Sequence, residues 1–232
     1  MKKYKDIFIA LLSFLLYFLF SPLISKILHL CHIDVDNLST IPLNIVLIVV
    51  DLLFMGIIFL IYKNELIKEF KEFISNKGKW FFKYVGLFIG SVLVMGILNV
   101  VLSKITNKST SENEELVREL IKKLPVYMTI STILYAPFVE EILFRKCIRK
   151  IIMGNDKIVK IAYILISAII FGLVHVLTLE ASFYDILMGI PYMVVGLSFG
   201  YIYVKTGNIF ATIQFHLMHN TILLILQLVM RG

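Results

Sequence analysis

The chain has 232 residues, 59% of them hydrophobic, with a mean hydropathy of +0.89 and a net charge of +7. A soluble domain is about 45–50% apolar, and the excess here is more than one soluble core of this size can enclose, so lipid must cover it. The positive charges fall in short stretches between apolar runs rather than in one basic stripe, which fits membrane loops and excludes nucleic acid as a partner.

A spanning helix needs about 20 mostly apolar residues. Seven segments meet or approach this: Asp6–Ile27, Pro42–Tyr62, Phe82–Leu102, Pro125–Phe144, Val159–Leu179, Tyr184–Val204 and Ile209–Met230. The expected fold is therefore all-α, a polytopic bundle of about seven helices forming one membrane domain. Residues 1–103 hold the N-terminal helices, and residues 125–230 form a core that holds nearly all the buried polar groups. The first run follows Lys2, Lys3 and Lys5. It is longer than a signal-peptide core and lacks an Ala-x-Ala end, so it is read as a retained helix.

Loop charges orient the bundle. Lys2, Lys3 and Lys5 put the N-terminus on the cytoplasmic side of a multi-pass cell-membrane protein. The link from Leu28 to Ile41, with two Asp and neither Lys nor Arg, goes outside. Lys63–Lys83 carries six lysines and returns inside, and its Asn64–Phe73 part reads as an amphipathic surface helix. Ser103–Leu124 has both signs and goes outside, as a loop or a short surface helix. Arg145, Lys146, Arg149, Lys150, Lys157 and Lys160 fall inside, Glu180 to Asp185 outside, Lys205 to Asn208 inside, and the C-terminus outside. Cys31 and Cys147 then lie on opposite sides. They form no CxxC pair, and Cys147 reads as a small buried side chain.

Ionisable groups inside a membrane cost roughly 2.5–3.5 kcal/mol each at a helix centre, so they point to function. Asp51 reads as a structural polar contact. Glu140 and Glu141 are about 100° apart on a helix and cannot share a face. Arg145 lies one turn after Glu141, so those two should pair and leave Glu140 free as a general base. Pro137 should loosen the helix just before the pair. His175 shares a face with Phe171. His216 and Asn220, at i and i+4, point the same way and could serve one oxyanion or a metal. His219 is rotated away, and a structural or supporting place suits it better. There is no HExxH and no GxSxG, so a zincin is excluded and a serine nucleophile (Ser167 or Ser198) is not favoured.

Three stretches resemble the motifs EExxxR, FxxxH and HxxxN of the CPBP family, which includes CAAX prenyl endopeptidases and bacteriocin-processing or self-immunity proteins. They are Glu140-Glu141-Ile142-Leu143-Phe144-Arg145, Phe171-Gly172-Leu173-Val174-His175 and His216-Leu217-Met218-His219-Asn220. The resemblance covers roughly Pro125 to Met230. It implies an intramembrane endopeptidase acting near the cytoplasmic membrane face, with Glu140 and His175 activating water, His216 and Asn220 forming the oxyanion hole, and Glu141 and Arg145 bracing the site. It leaves open whether there is no cofactor or a divalent metal such as zinc. Zinc would fall to Glu140, His175 and His216. The implied partners are the bilayer and a membrane-associated peptide or protein substrate, such as a peptide precursor, bacteriocin leader or signalling peptide. The oligomeric state is left open.

Two alternatives remain at this stage: a non-proteolytic membrane scaffold or regulator, as in bacteriocin self-immunity, and a small transporter. One geometric condition must also hold. His175 is about 27 Å along its helix from Lys157, whereas His216 is about 12 Å from Asn208. The two meet only if the fourth and fifth spans protrude or tilt.

Overall fold

The computed structural model describes residues 2–33, 37–106, 112–177 and 182–229. They form helices joined by short turns, with no strand among the described residues. In chain order the helices are α1 (Lys2–Leu30), α2 (Thr40–Ser75), α3 (Lys79–Thr106), α4 (Glu112–Lys123), α5 (Pro125–Ile151), α6 (Lys157–Val174), α7 (Phe183–Leu187), α8 (Ile190–Thr206) and α9 (Ile209–Val229). With α7 and α8 counted together, seven stretches are long and apolar enough to cross a membrane. The chain is a multi-pass membrane protein.

Several boundaries differ from expectation. The surface helix expected at Asn64–Phe73 is no separate element, because α2 runs unbroken for 36 residues. No Gly or Pro interrupts it there. Glu65 and Glu69, one turn apart, face Lys146 and Lys150 of α5. Lys146 is thus buried in an ion-pair cluster with both glutamates, not a free loop charge. Arg145 is buried too. α5 continues past Phe144 to Ile151, and α6 ends at Val174, one residue before His175. The mixed-charge link contains a helix, α4. Asp34, Asp36, Lys108, Leu179, Glu180 and Met230 lie outside the described residues.

α5 sits at the centre and is irregular. It holds two π-helical turns, Ser131–Tyr135 and Ile142–Cys147, on either side of Ala136–Glu141. Pro137 accounts for the first. Its ring crowds the carbonyl of the preceding turn and it has no N–H to donate. The widened turn gives the ring room, with Ala136 N–H reaching back five residues to Ser131 O. Asp51 of α2 accepts a 2.7 Å bond from Ser131 Oγ at the start of this turn, the structural contact expected of it.

α6 and α8 pack closely because small residues line their contact. A Cβ added at Gly172 would lie 2.7 Å from Gly189 O, and one at Gly196 would lie 3.1 Å from Ala168 Cα. Close backbone approach at small residues is how helices associate where lipid removes the hydrophobic drive. Aromatic rings fill the rest: Phe81 and Phe88 of α3 against Phe215 of α9, and Phe14 of α1 against Phe144 of α5. Cys147 is buried and bonded through Sγ to Tyr62 Oη at 3.1 Å. Cys31 is exposed, and neither is in a disulfide.

The depth condition is met, since His175 and His216 both stand 3.8 Å from one oxygen of Glu140. Tyr163, six residues into α6, packs beside Tyr203, close to the end of α8. The start of α6 therefore extends roughly 9 Å beyond that contact, which supplies part of the offset between the two helices.

Candidate functional site

The site is built on α5, α6 and α9. Glu141 is fully buried and accepts two bonds. Arg145 Nε donates to Oε2 at 3.1 Å, and His216 Nδ1 donates to Oε1 at 2.9 Å. The expected Glu141–Arg145 ion pair is therefore present, and the contact extends further than the spacing suggested, since one carboxylate ties Arg145 to the His216 ring across two helices. Arg145 Nη1 donates to Ser167 Oγ of α6 at 2.7 Å, and Ser167 in turn donates to Phe144 O. The Arg145 guanidinium lies 4.7 Å from the Phe171 ring centre and 5.8 Å from that of Phe199. Those ring faces supply the contact that Nη2, which lacks a hydrogen-bond partner among the described residues, would otherwise miss.

Glu140 points the other way, into a cavity of about 490 Å3 that His175, His216, His219 and Asn220 also line. Its Oε2 has no hydrogen-bond partner among the described residues. Two imidazole nitrogens face that oxygen, His175 Nε2 and His216 Nε2, each at 3.8 Å.

The second nitrogen of each ring fixes its tautomer. His175 Nδ1 lies 2.7 Å from Phe171 O, and a carbonyl can only accept, so Nδ1 carries the proton and Nε2 of the neutral ring is bare. His216 Nδ1 faces a carboxylate, with the same result. Glu140 Oε2 and both Nε2 atoms are thus proton acceptors converging on one place. Tyr192 stacks on His175 at 4.8 Å and 23°, and Phe171 packs against the same ring at 4.5 Å. The ring is held in position although it sits at a helix end.

Asn220 lines the same cavity, one turn beyond His216. Its Nδ2 donates to Thr132 O at 2.9 Å. The reason lies in α5. Ala136 N–H is used by Ser131 O, and the next residue able to reach Thr132 O is Pro137, which has no N–H. Asn220 satisfies the carbonyl that the proline leaves open. One amide hydrogen is committed there and the other remains.

The donor set Glu140, His175 and His216 is chemically suited to a divalent metal, and both rings are tethered through Nδ1 as metal-ligating histidines usually are. The spacing does not fit. Donors around tetrahedral zinc stand about 3.3 Å apart, against 3.8 Å here. Among the described residues no three such groups are arranged to hold an ion.

Sequence reasoning missed Tyr192 and the Thr132 carbonyl, and it considered Ser167 only as a nucleophile, not as the partner of Arg145. Only Thr132 had a readable signal, because a proline inside a membrane helix leaves carbonyls that need an outside donor. His219, set aside at first, also lines the cavity. Ser198 bonds to Ser91 and takes no part.

Comparison with known proteins points to membrane peptidases. Residues 122–222 match the family model described as "Type II CAAX prenyl endopeptidase Rce1-like". YdiL of Bacillus subtilis (strain 168), which carries the provisional name of a membrane peptidase, is 33% identical over 118 residues, 51% of this chain and 44% of that protein. YvdC of Lactococcus lactis subsp. lactis (strain IL1403), a UPF0177 protein, is 27% identical over 183 residues, 75% of this chain and 67% of that one. The chain thus spans less than half of the first relative's length and about two thirds of the second's. No solved structure matches the chain. The matched stretch holds all three motifs together with Thr132, Ser167 and Tyr192, and over it the chain is similar to the Rce1-like CAAX prenyl endopeptidases.

Proposed function

We propose that the protein is a membrane-embedded endopeptidase that hydrolyses a peptide bond with Glu140 as general base. The observation that carries this is the convergence of Glu140 Oε2 with the bare Nε2 atoms of His175 and His216, 3.8 Å from each, in a cavity large enough for a peptide segment.

A water in that cavity donates hydrogen bonds to Glu140 and His175 Nε2. Its oxygen attacks the carbonyl carbon of the substrate, one proton passes to Glu140, and the C=O π pair moves onto oxygen. When the tetrahedral intermediate collapses, the C–N bond breaks and the Glu140 proton goes to the leaving nitrogen, giving a free carboxyl group and an amine. General base catalysis of this kind contributes about 10²–10⁴-fold. His216 and Asn220, one turn apart on α9, face the oxyanion. Asn220 offers its remaining amide hydrogen, and His216 donates from Nε2 only when both its nitrogens carry protons. Glu141 and Arg145 hold the His216 ring. This reaction needs no metal.

Glu140 is ten residues from Lys150 and fifteen from Pro125, about 15 Å and 22 Å along α5. With the lysine-rich ends inside, the bond cleaved lies nearer the cytoplasmic face and the N-terminus is cytoplasmic. The substrate is a membrane-associated peptide, not a nucleic acid.

The test is protein reconstituted in liposomes with a pool of quenched-fluorescent peptides, read by fluorescence and mass spectrometry. Cleavage by the wild type, lost in Glu140→Gln and His175→Ala and kept in the presence of a chelator, is the expected result. Cleavage unchanged in both variants rejects the reading and leaves a scaffold or regulator of the same fold. Cleavage abolished by the chelator and restored by zinc rejects the metal-free mechanism alone.

A further inference from the structure

We infer that His219 is a further hydrogen-bond donor for the carbonyl oxygen of the bound peptide, beside Asn220, acting through Nε2. This rests on the peptidase reading and adds a residue that none of the three motifs includes.

His219 is 5% exposed, lies three residues after His216 on α9, and lines the cavity that holds Glu140. Its Nδ1 is sealed from solvent and has no hydrogen-bond partner among the described residues. Buried polar groups are nearly always paired, so this one needs an explanation. An orphaned N–H is rarer in folded proteins than an acceptor with a bare lone pair. The ring therefore carries its proton on Nε2, the nitrogen the cavity can reach, and leaves Nδ1 as the unpaired acceptor.

The tautomers of the three histidines then differ in a useful way. His175 and His216 give their Nδ1 protons to Phe171 O and Glu141, and present bare Nε2 atoms. His219 does the opposite and presents N–H. Two imidazoles accept and one donates. Peptide hydrolysis needs both kinds, acceptors for the protons of water and a donor for the oxyanion.

The motif residues are poorly placed to supply that donor alone. Asn220 has one amide hydrogen committed to Thr132 O. His216 has its Nδ1 proton on Glu141 and needs a second proton before Nε2 can donate. His219 Nε2–H needs none. Its partner is a carbonyl oxygen of a backbone amide, so the recognition is independent of substrate side chains.

The experiment has two arms, chosen so that this inference and the peptidase reading fail separately. The first needs no substrate. Protein labelled with 15N-histidine is placed in lipid nanodiscs, and the His219 resonances are assigned by their loss in His219→Gln. The Nε2–H tautomer is expected, and the Nδ1–H tautomer overturns the donor assignment. The second uses one quenched-fluorescent peptide taken from the pool because the wild type cleaves it and Glu140→Gln does not. His219→Leu should lower kcat about 10²–10³-fold, the usual cost of one oxyanion donor, with KM nearly unchanged. Gln places an amide N–H near the position of Nε2, whereas Asn places one near Nδ1. His219→Gln should recover to within about tenfold of wild type and His219→Asn should not. Wild-type kcat in His219→Leu, or equal recovery by Gln and Asn, overturns the inference while Glu140→Gln keeps the peptidase reading intact. If no peptide is cleaved, the peptidase reading fails and the tautomer arm still decides the state of His219.

Discussion

Helices α1 and α5 are close in length, 29 and 27 residues, yet they are opposites as membrane helices. Among the described side chains of α1 only Ala10 and Ser13 are fully buried, and Phe8, Leu15 and Phe18 each leave more than half their surface to lipid. Every residue of α5 from Ile142 to Cys147 is buried, including Arg145 and Lys146. α1 contains Pro22 and stays regular, whereas α5 contains Pro137 and two widened turns. Lipid asks of a helix only that it be apolar and bonded to itself. A helix surrounded by other helices can hold charges and irregular turns, provided its neighbours complete them. That is where chemistry can be placed, and α5 has Asp51, Ser167, His216 and Asn220 around it to do so.

Four outcomes would break or sharpen this contrast, from the largest effect down. Glu140→Gln should cut peptide cleavage by about 10²–10⁴-fold with unfolding temperature unchanged in detergent, since its Oε2 has no bond to lose. A large loss of stability would mean that Glu140 belongs to the brace instead. Arg145→Met should cost about 3–5 kcal/mol of stability, because it leaves Glu141 charged, buried and short of a partner. Adding Glu141→Gln should restore much of that loss, as seen in thermal unfolding monitored by circular dichroism. Asn220→Leu should cost about 1–3 kcal/mol by unpairing Thr132 O. The effect should shrink when Pro137→Ala returns an N–H to that turn, a coupling measured by a double-mutant cycle. Leu15→Ala on the lipid face of α1 should change stability by less than about 0.5 kcal/mol. A loss near that of Asn220→Leu would show that α1 is packed against something other than lipid.

Much of this was legible in the residues. Helix length and hydropathy are local properties, so all seven spans could be read, but their ends were misplaced by up to 13 residues where a polar stretch continued a helix, as from Lys63 to Ser75. The division between Glu140 and Glu141 followed from the 100° step and the Arg145 spacing, and the Glu141–Arg145 bond is present as expected. The bond from Glu141 to His216 was not legible, because it joins residues 75 apart and depends on how α5 and α9 cross. The same holds for Asn220. Its place on the His216 face was readable, but its bond to Thr132 depended on a gap opened by Pro137 on another helix.

By itself the sequence determined that this is a helical membrane protein and which few polar side chains its spans must hide. Both follow from the cost of putting charge and unbonded backbone in lipid, a cost paid residue by residue. Only the tertiary structure decided which of those side chains meet, and on which nitrogen His216 carries its proton. A tautomer is set by the partner of the other ring nitrogen, and for His216 that partner, Glu141, stands on a different helix.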